Sequence, residues 1–350
     1  MNRRILIVLV GILLGIGVVA GWLAACYLKV LREQVSALKA RPQDPATRPP
    51  APASPVAPAP ACLAQEGKEL DRRKAVLAAR FLAESVLIET DLTAHQERWQ
   101  TPGGAFWMPT GNNIANVTYI LAEESEGSYG GRGNVESEIH PGDTVLDCGA
   151  HVGTETRRAL AAGASKVVAI EIAPENLESL RRNFSDEIRV GKVVVYPKGV
   201  WNKDDTMTLN VSSDSAEDSL IMGKATPEGP RVALTTIDHI VTELALKHVD
   251  FIKMDIEGAE RQALEGAQET IRRFRPRLGL AGYHLPDDVV ALPFWVQHAA
   301  PGYWFSFHGC RIWNGPRPES ILFRPEKVTH ERVAPRKRRG RTDAVTAPAR

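Results

Sequence analysis

Two groups of residues in this 350-residue chain have the types and spacing to do chemistry. The first is Val145-Leu146-Asp147-Cys148-Gly149-Ala150-His151-Val152-Gly153-Thr154, where an apolar run ends in an acid and a Gly-x-x-x-Gly turn before a helix. Glycines at 149 and 153 take Cβ atoms out of a ligand's path, and the free amides of the following helix favour a negative group. The next apolar run, Val167 to Ile170, leads to Glu171, 24 positions after Asp147. An acid at that neighbouring strand tip suits the two hydroxyls of a ribose. A dinucleotide fold calls for G-x-G-x-x-G to hold a pyrophosphate, and this chain has D-x-G-x-x-x-G instead. An acid at the turn fits a ligand that carries positive charge, such as the amino group and sulfonium of S-adenosylmethionine. An NAD-dependent oxidoreductase is disfavoured by the missing third glycine. The candidate cofactor residues are Asp147, Gly149, Ala150, His151, Gly153 and Glu171.

The second group holds acids and histidines at the carboxyl ends of later apolar runs, where open parallel sheets bind their ligands. Asp255 and Glu257 follow the run Asp250 to Met254, His284 follows Arg277 to Ala281, and His308 follows a late strand. Transfer of a methyl group from a sulfonium needs a nucleophile that is aligned and dry, and where that nucleophile carries a proton a general base adds about 10²-fold to 10⁴-fold. Asp255, Glu257 and His284 are the candidates for that work. The competing structural role for the two acids is helix capping, worth a few tenths to about 1 kcal/mol. For His284 and His308 it is a hydrogen-bonded loop histidine, and His239, His248 and His298 read as surface residues. Asp255, Glu257 and a histidine could in principle meet at a metal. No sequence-local ligand set supports one, so none is expected. Cys26, Cys62, Cys148 and Cys310 are far apart, with no CxxC, and read as reduced thiols.

Together these motifs resemble the FkbM-type S-adenosylmethionine-dependent methyltransferases, which carry a D-x-G-A-x-x-G turn and a later D-x-E-G motif. The first corresponds to Asp147 through Gly153. The second corresponds to Asp255-Ile256-Glu257-Gly258 within Val249 to Glu260, followed by the similar Leu264-Glu265-Gly266-Ala267. Tyr283-His284-Leu285-Pro286-Asp287-Asp288 looks like the Y-H-x-P-x-D stretch of one branch of the family, and His308 stands before the last strand. The resemblance covers roughly Pro141 to Phe323. Many members have Asn where His151 stands, and an acid near Gly282, so those roles do not carry over. The resemblance implies an open parallel sheet ending in a reversed hairpin strand, S-adenosylmethionine as cofactor, and methylation of a hydroxyl on a sugar, glycan or natural product.

The elements that must position these residues follow from the patterning. Short β-branched runs at Thr144 to Cys148, Lys166 to Glu171, Lys192 to Tyr196, Asp250 to Met254 and Arg277 to Ala281 alternate with helices. That pattern predicts an α/β chain with a Rossmann-like, doubly wound sheet of the class I methyltransferase type. Thr206 to Val211 and Arg231 to Thr235 predict an intruding hairpin. Leu77, Phe81, Ile88 and Leu92 step by 4, 7 and 4 and predict one helical face. The Gly-rich stretch 103–133 reads as loop. The methyltransferase domain is expected over 141–328, after a helical and loop region at 64–140.

Ile5 to Leu28 is a run of 24 uncharged residues, more than the ~20 needed to span a bilayer, with Arg3 and Arg4 before it and Trp22 and Tyr27 near its far end. It predicts a membrane anchor over 1–30. A cleavable signal, or a lipoprotein box at Leu23-Ala24-Ala25-Cys26, fits the same residues. Residues 31–63 form a stalk, with eight of the 24 prolines lying between Arg41 and Ala61. Residues 329–350 form a basic tail expected to be disordered. Residues 66–330 hold 29 basic against 38 acidic residues, which argues against a nucleic-acid groove in the body. The expected partners are the membrane and a small-molecule or glycan substrate. The expected location is a single-pass membrane protein with its catalytic domain in the cytoplasm. A non-catalytic, methyltransferase-like binding module is the rival class.

Overall fold

The computed structural model describes residues 65–130, 138–212, 215–222, 228–311 and 317–326. The expected anchor, stalk and basic tail lie outside the described residues. Among the described residues, no helix is long and apolar enough to cross a membrane.

Among the described residues, seven strands form the central sheet: β4 (Thr144–Cys148), β5 (Lys166–Ile170), β6 (Val193–Tyr196), β10 (Phe251–Met254), β11 (Arg277–Ala281), β12 (Tyr303–His308) and β13 (Ser320–Pro325). Their spatial order is β12-β13-β11-β10-β4-β5-β6. The pairs β4–β5, β5–β6, β4–β10 and β10–β11 are parallel, while β13 runs antiparallel to both β11 and β12. The chain reverses between β4 and β10, so the tips of these two adjacent strands open a crevice where ligands can bind.

The buried parallel strands read as continuous apolar runs because helices cover both faces. On one face Val145, Val167, Ala169 and Phe251 pack with Ala159, Leu180 and Phe184 from the helices that follow β4 and β5. On the other, Leu146, Val168, Ile252 and Leu280 pack with Ile240, Ala263, Ile271 and Leu292. Full burial of each such aliphatic chain contributes about 1.5–3 kcal/mol, and this two-sided core holds the strand tips in register. A smaller sheet of β7 (Gly199–Val200), β9 (Arg231–Thr235) and β8 (Asp205–Thr208) contains the expected hairpin, with Thr206 opposite Ala233.

The N-terminal part of the body differs from its expectation. Leu77 and Phe81 lie on helix Gln65–Ala83, but that helix ends before Ile88 and Leu92. Ile88 is in β1 (Val86–Asp91), Leu92 follows it, and both are exposed. The 4, 7, 4 spacing is a coincidence, because a β-branched strand follows the helix directly. β1 pairs with β2 (Gln96–Thr101) and β2 with β3 (Gly104–Pro109) in an antiparallel meander. Helix Ile114–Ser125 then fills much of the stretch that reads as loop, its first turn capped by Asn113. Phe106, Met108, Val117 and Leu121 form a third core with Phe81. Helix Gln65–Ala83 is also tied to the far side of the sheet by Lys74, fully buried and paired with Glu319 just before β13.

Candidate functional site

The turn after β4 is built largely by the protein's own packing. Gly149 and Gly153 have φ of +77° and +94°, a region in which side chains other than glycine are strained. A Cβ on Gly149 would overlap the Asp255 carbonyl, and one on Gly153 would overlap the Phe184 ring. The space these glycines keep clear is therefore filled by the next strand tip and by a helix, and Gly153 lines neither cleft described below. The Gly149 and Ala150 amides both donate to the Ile170 carbonyl at 3.0 Å, so they are engaged by β5.

Asp147 also works beneath the turn. It is fully buried, accepts a 2.7 Å hydrogen bond from Thr156 Oγ1 and faces Lys253 Nζ at 3.5 Å. Burial raises its pKa, and Lys253 opposes that rise. Lys253 in turn donates to the Gly149 carbonyl at 2.7 Å. Burial disfavours its charge, but Asp147 and then Asp255 outweigh burial, so its ammonium stays protonated. The cation that Asp147 answers within the protein is Lys253.

Glu171 stands at the tip of β5, as expected. One of its carboxylate oxygens accepts from the His151 amide at 2.7 Å, and the other accepts from the Ile172 and Ala173 amides at 2.7 and 2.9 Å. Burial pushes its carboxyl upward while the Ala173, Ile172 and His151 amides pull it down. Three of its roughly four acceptor positions are used, and it still lines a cleft. That cleft, open to solvent, is bounded by Gly149, His151, Glu171, Ile172, Leu220, Asp255 and Glu257 among others. A polar cleft adjoins it, lined by Glu123, Glu124, Tyr129, Ala150, Thr154 and Lys253. Gly149, His151, Ala216, Asp255 and Glu257 line both.

Asp255, Glu257 and His284 come together where the clefts meet. Asp255 accepts hydrogen bonds from Tyr129 Oη at 2.8 Å and Tyr283 Oη at 3.0 Å. Burial pushes its carboxyl up, but His284, Lys253 and Arg311 outweigh this and hold it below the ordinary carboxylate range. Glu257 has φ of +52°, a left-handed conformation costing a non-glycine residue roughly 1–2 kcal/mol, and the glycine after it is also left-handed. His284 is buried. Its Nδ1 lies 2.9 Å from Glu260 Oε1, and its Nε2 lies 3.4 Å from both Asp255 Oδ1 and Glu257 Oε1. Burial disfavours the imidazolium, but Glu260 and Glu257 outweigh it and hold the ring's pKa well above its usual value. The surrounding carboxylates thus favour the protonated ring over the neutral one. His308 ends β12 and lines neither cleft.

Sequence reasoning missed Tyr129, Lys253, Glu260 and Arg311. Tyr129 lies 126 positions before Asp255, and no local pattern links them. Glu260 did carry a signal, since it closes the run Asp255-Ile256-Glu257-Gly258-Ala259-Glu260.

Residues 147–301 match the model of the methyltransferase FkbM domain. Among solved structures, methyltransferase FkbM from Methylobacillus flagellatus KT is similar at 19% identity and a TM-score of 0.43, covering 74% of this chain and 60% of that one. Trm5b from Pyrococcus abyssi is similar at 16% identity and a TM-score of 0.38, covering 66% and 56%. TYW2 from M. jannaschii, in complex with AdoMet, is similar at 12% identity and a TM-score of 0.38, covering 68% and 88%. The chain thus spans about 60% or less of the length of the first two proteins. No curated protein sequence matches it. The FkbM-type methyltransferase domain thus corresponds to residues 147–301, which hold both the turn after β4 and the Asp255-Ile256-Glu257-Gly258 run, and S-adenosylmethionine is the cofactor that this match implies.

Proposed function

We propose that the protein is a membrane-tethered O-methyltransferase acting on a hydroxyl of a sugar, glycan or natural-product-like molecule. The observation that carries this reading is the meeting of two clefts at Asp255 and Glu257, one bounded by Glu171 at the tip of β5 and the other lined with polar groups. The first cleft fits the cofactor: Glu171 offers its remaining acceptor position to ribose hydroxyls, Ile172 and Leu220 offer an apolar wall, and Gly149 and His151 bound it at the turn. Bound there, S-adenosylmethionine supplies a methyl group carried on a cationic sulfur. Asp255 and Glu257 accept hydrogen bonds from the acceptor hydroxyl and aim its oxygen across the junction. Tyr129 and Tyr283 fix the Asp255 carboxylate, so its alignment needs no reorganisation during transfer. Glu123, Glu124 and Lys253 give the second cleft hydrogen-bonding groups suited to a polyhydroxylated molecule rather than to an apolar one.

Tethering rests on the uncharged run Ile5 to Leu28 followed by a proline-rich stalk. A cytoplasmic catalytic domain rests on the supply of the methyl donor in that compartment. A phosphatase reporter fused at Arg350 tests the orientation, since reporter activity there would put the domain outside. The methyltransferase reading itself is tested by thermal shift. S-adenosylmethionine and S-adenosylhomocysteine should raise the melting temperature, and NAD should leave it unchanged. Stabilisation by NAD alone would overturn the reading.

A further inference from the structure

We propose that Asp255, Glu257 and His284 form a binding site for one divalent transition-metal cation of the Mn²⁺ type, at the junction of the two clefts. One ligand atom from each residue lies within 4.8 Å of the others. His284 Nε2 stands 3.4 Å from Asp255 Oδ1 and 3.4 Å from Glu257 Oε1. Metal–ligand bonds of about 2.1 Å at octahedral to tetrahedral angles put neighbouring donors roughly 3.0–3.4 Å apart, so the three atoms need little movement to share one ion.

The histidine gives an independent reason. Its side chain is 1% exposed, and Nε2, aimed at the two carboxylates, is a buried atom with no well-formed hydrogen bond. Its other nitrogen lies 2.9 Å from the buried carboxylate of Glu260. A carboxylate on the far nitrogen is the usual partner of a metal-bound imidazole, because it fixes the ring and directs the Nε2 lone pair at the metal. Glu260 is itself positioned by the Ile256 amide, which donates to it at 3.0 Å. Tyr129 and Tyr283 give the Asp255 carboxylate matching outer support.

The donor set selects the ion. Two carboxylates and an imidazole suit Mn²⁺ and its neighbours, whereas Ca²⁺ takes six to eight oxygens. Asp255 and Glu257 side chains are 23% and 21% exposed toward the clefts, which leaves coordination positions for water and an acceptor oxygen. A cation there takes the place of the proton at Nε2 and serves the same carboxylates. Its part in transfer, holding and acidifying the acceptor hydroxyl, rests on the O-methyltransferase reading above; its binding does not.

The full-length protein in detergent, titrated with manganese chloride and followed by the electron paramagnetic resonance signal of free Mn²⁺, tests the site. One saturable site per chain is expected, weakened by about tenfold or more in His284→Asn, Glu257→Gln and Glu260→Gln. Glu257 reaches the clefts, so Glu257→Gln should fold even if a variant at the buried His284 or Glu260 does not, and its melting curve checks this. No saturable binding at millimolar manganese, or binding that Glu257→Gln leaves unchanged, overturns the proposal. S-adenosylhomocysteine calorimetry on the same samples separates the two ideas. Cofactor binding without manganese binding removes the cation and leaves the methyltransferase reading standing.

Discussion

The tips of β4 and β5 and the tips of β10 and β11 face the same crevice but use their polar residues differently. On the β4–β5 side almost every group is consumed by the protein itself. Gly149 makes room for the Asp255 carbonyl, Gly153 for Phe184, Asp147 holds Thr156 and Lys253, and Glu171 pins three amides. On the β10–β11 side there is an excess: Asp255, Glu257 and Glu260 surround one buried histidine. The first side is held together by its own contacts and is the cofactor cradle of the function proposed above, and the second concentrates charge where that proposal puts the reaction. Motif residues can thus serve the turn itself, by packing and hydrogen bonds made within the protein.

The contrast can be broken at several points. The largest effect should come from Gly149→Ala, whose Cβ would overlap the Asp255 carbonyl at a backbone φ of +77°. Overpacking and left-handed strain together should cost about 2–4 kcal/mol of stability, read from the denaturant midpoint. Unchanged stability with lost donor binding would mean that the glycine clears a path for the ligand after all. Next in size, Asp255→Asn keeps the shape and most hydrogen bonds, so turnover should fall about 10²-fold while donor affinity stays within a few fold. Turnover at the wild-type rate would put the transfer site elsewhere.

A smaller effect is expected from Glu171→Ala. Loss of a charged acceptor for the ribose should weaken donor binding by about 1.5–3 kcal/mol, roughly tenfold or more by calorimetry. Because three amides lose their partner as well, the melting temperature should fall in the same variant. The smallest effect, none at all on donor affinity, is expected of a chain beginning at Ala64. Among the described residues, the cores around the sheet are built from positions between Leu77 and Phe323. Aggregation of that chain beside a cooperative melt of the full-length protein would sink this separation.

The contrast also explains what the sequence could and could not show. β4, β5, β10 and β11 were legible because parallel strands buried on both faces are unbroken apolar runs, and their tips carry the acids that mark the crevice. The meander β1–β3 was not legible. Its strands are partly exposed, and Ile88 and Leu92 happen to continue the helical spacing of Leu77 and Phe81. Helix Ile114–Ser125 was hidden by the glycines on either side of it. Within the site, Asp255, Glu257 and His284 could be placed at neighbouring strand ends. What sets the chemistry of His284, however, is Glu260 on one nitrogen and two carboxylates facing the other, and distances of that kind are not written in any spacing.

The division between cradle and reaction side is tested most directly by calorimetric titration of S-adenosylhomocysteine into the wild-type protein, Glu171→Ala and Asp255→Asn, each checked for a cooperative melt. The expected result is one saturable site in the wild type, about tenfold or more weaker in Glu171→Ala and within a few fold of wild type in Asp255→Asn. Equal loss in both variants, or full affinity in Glu171→Ala, would contradict it.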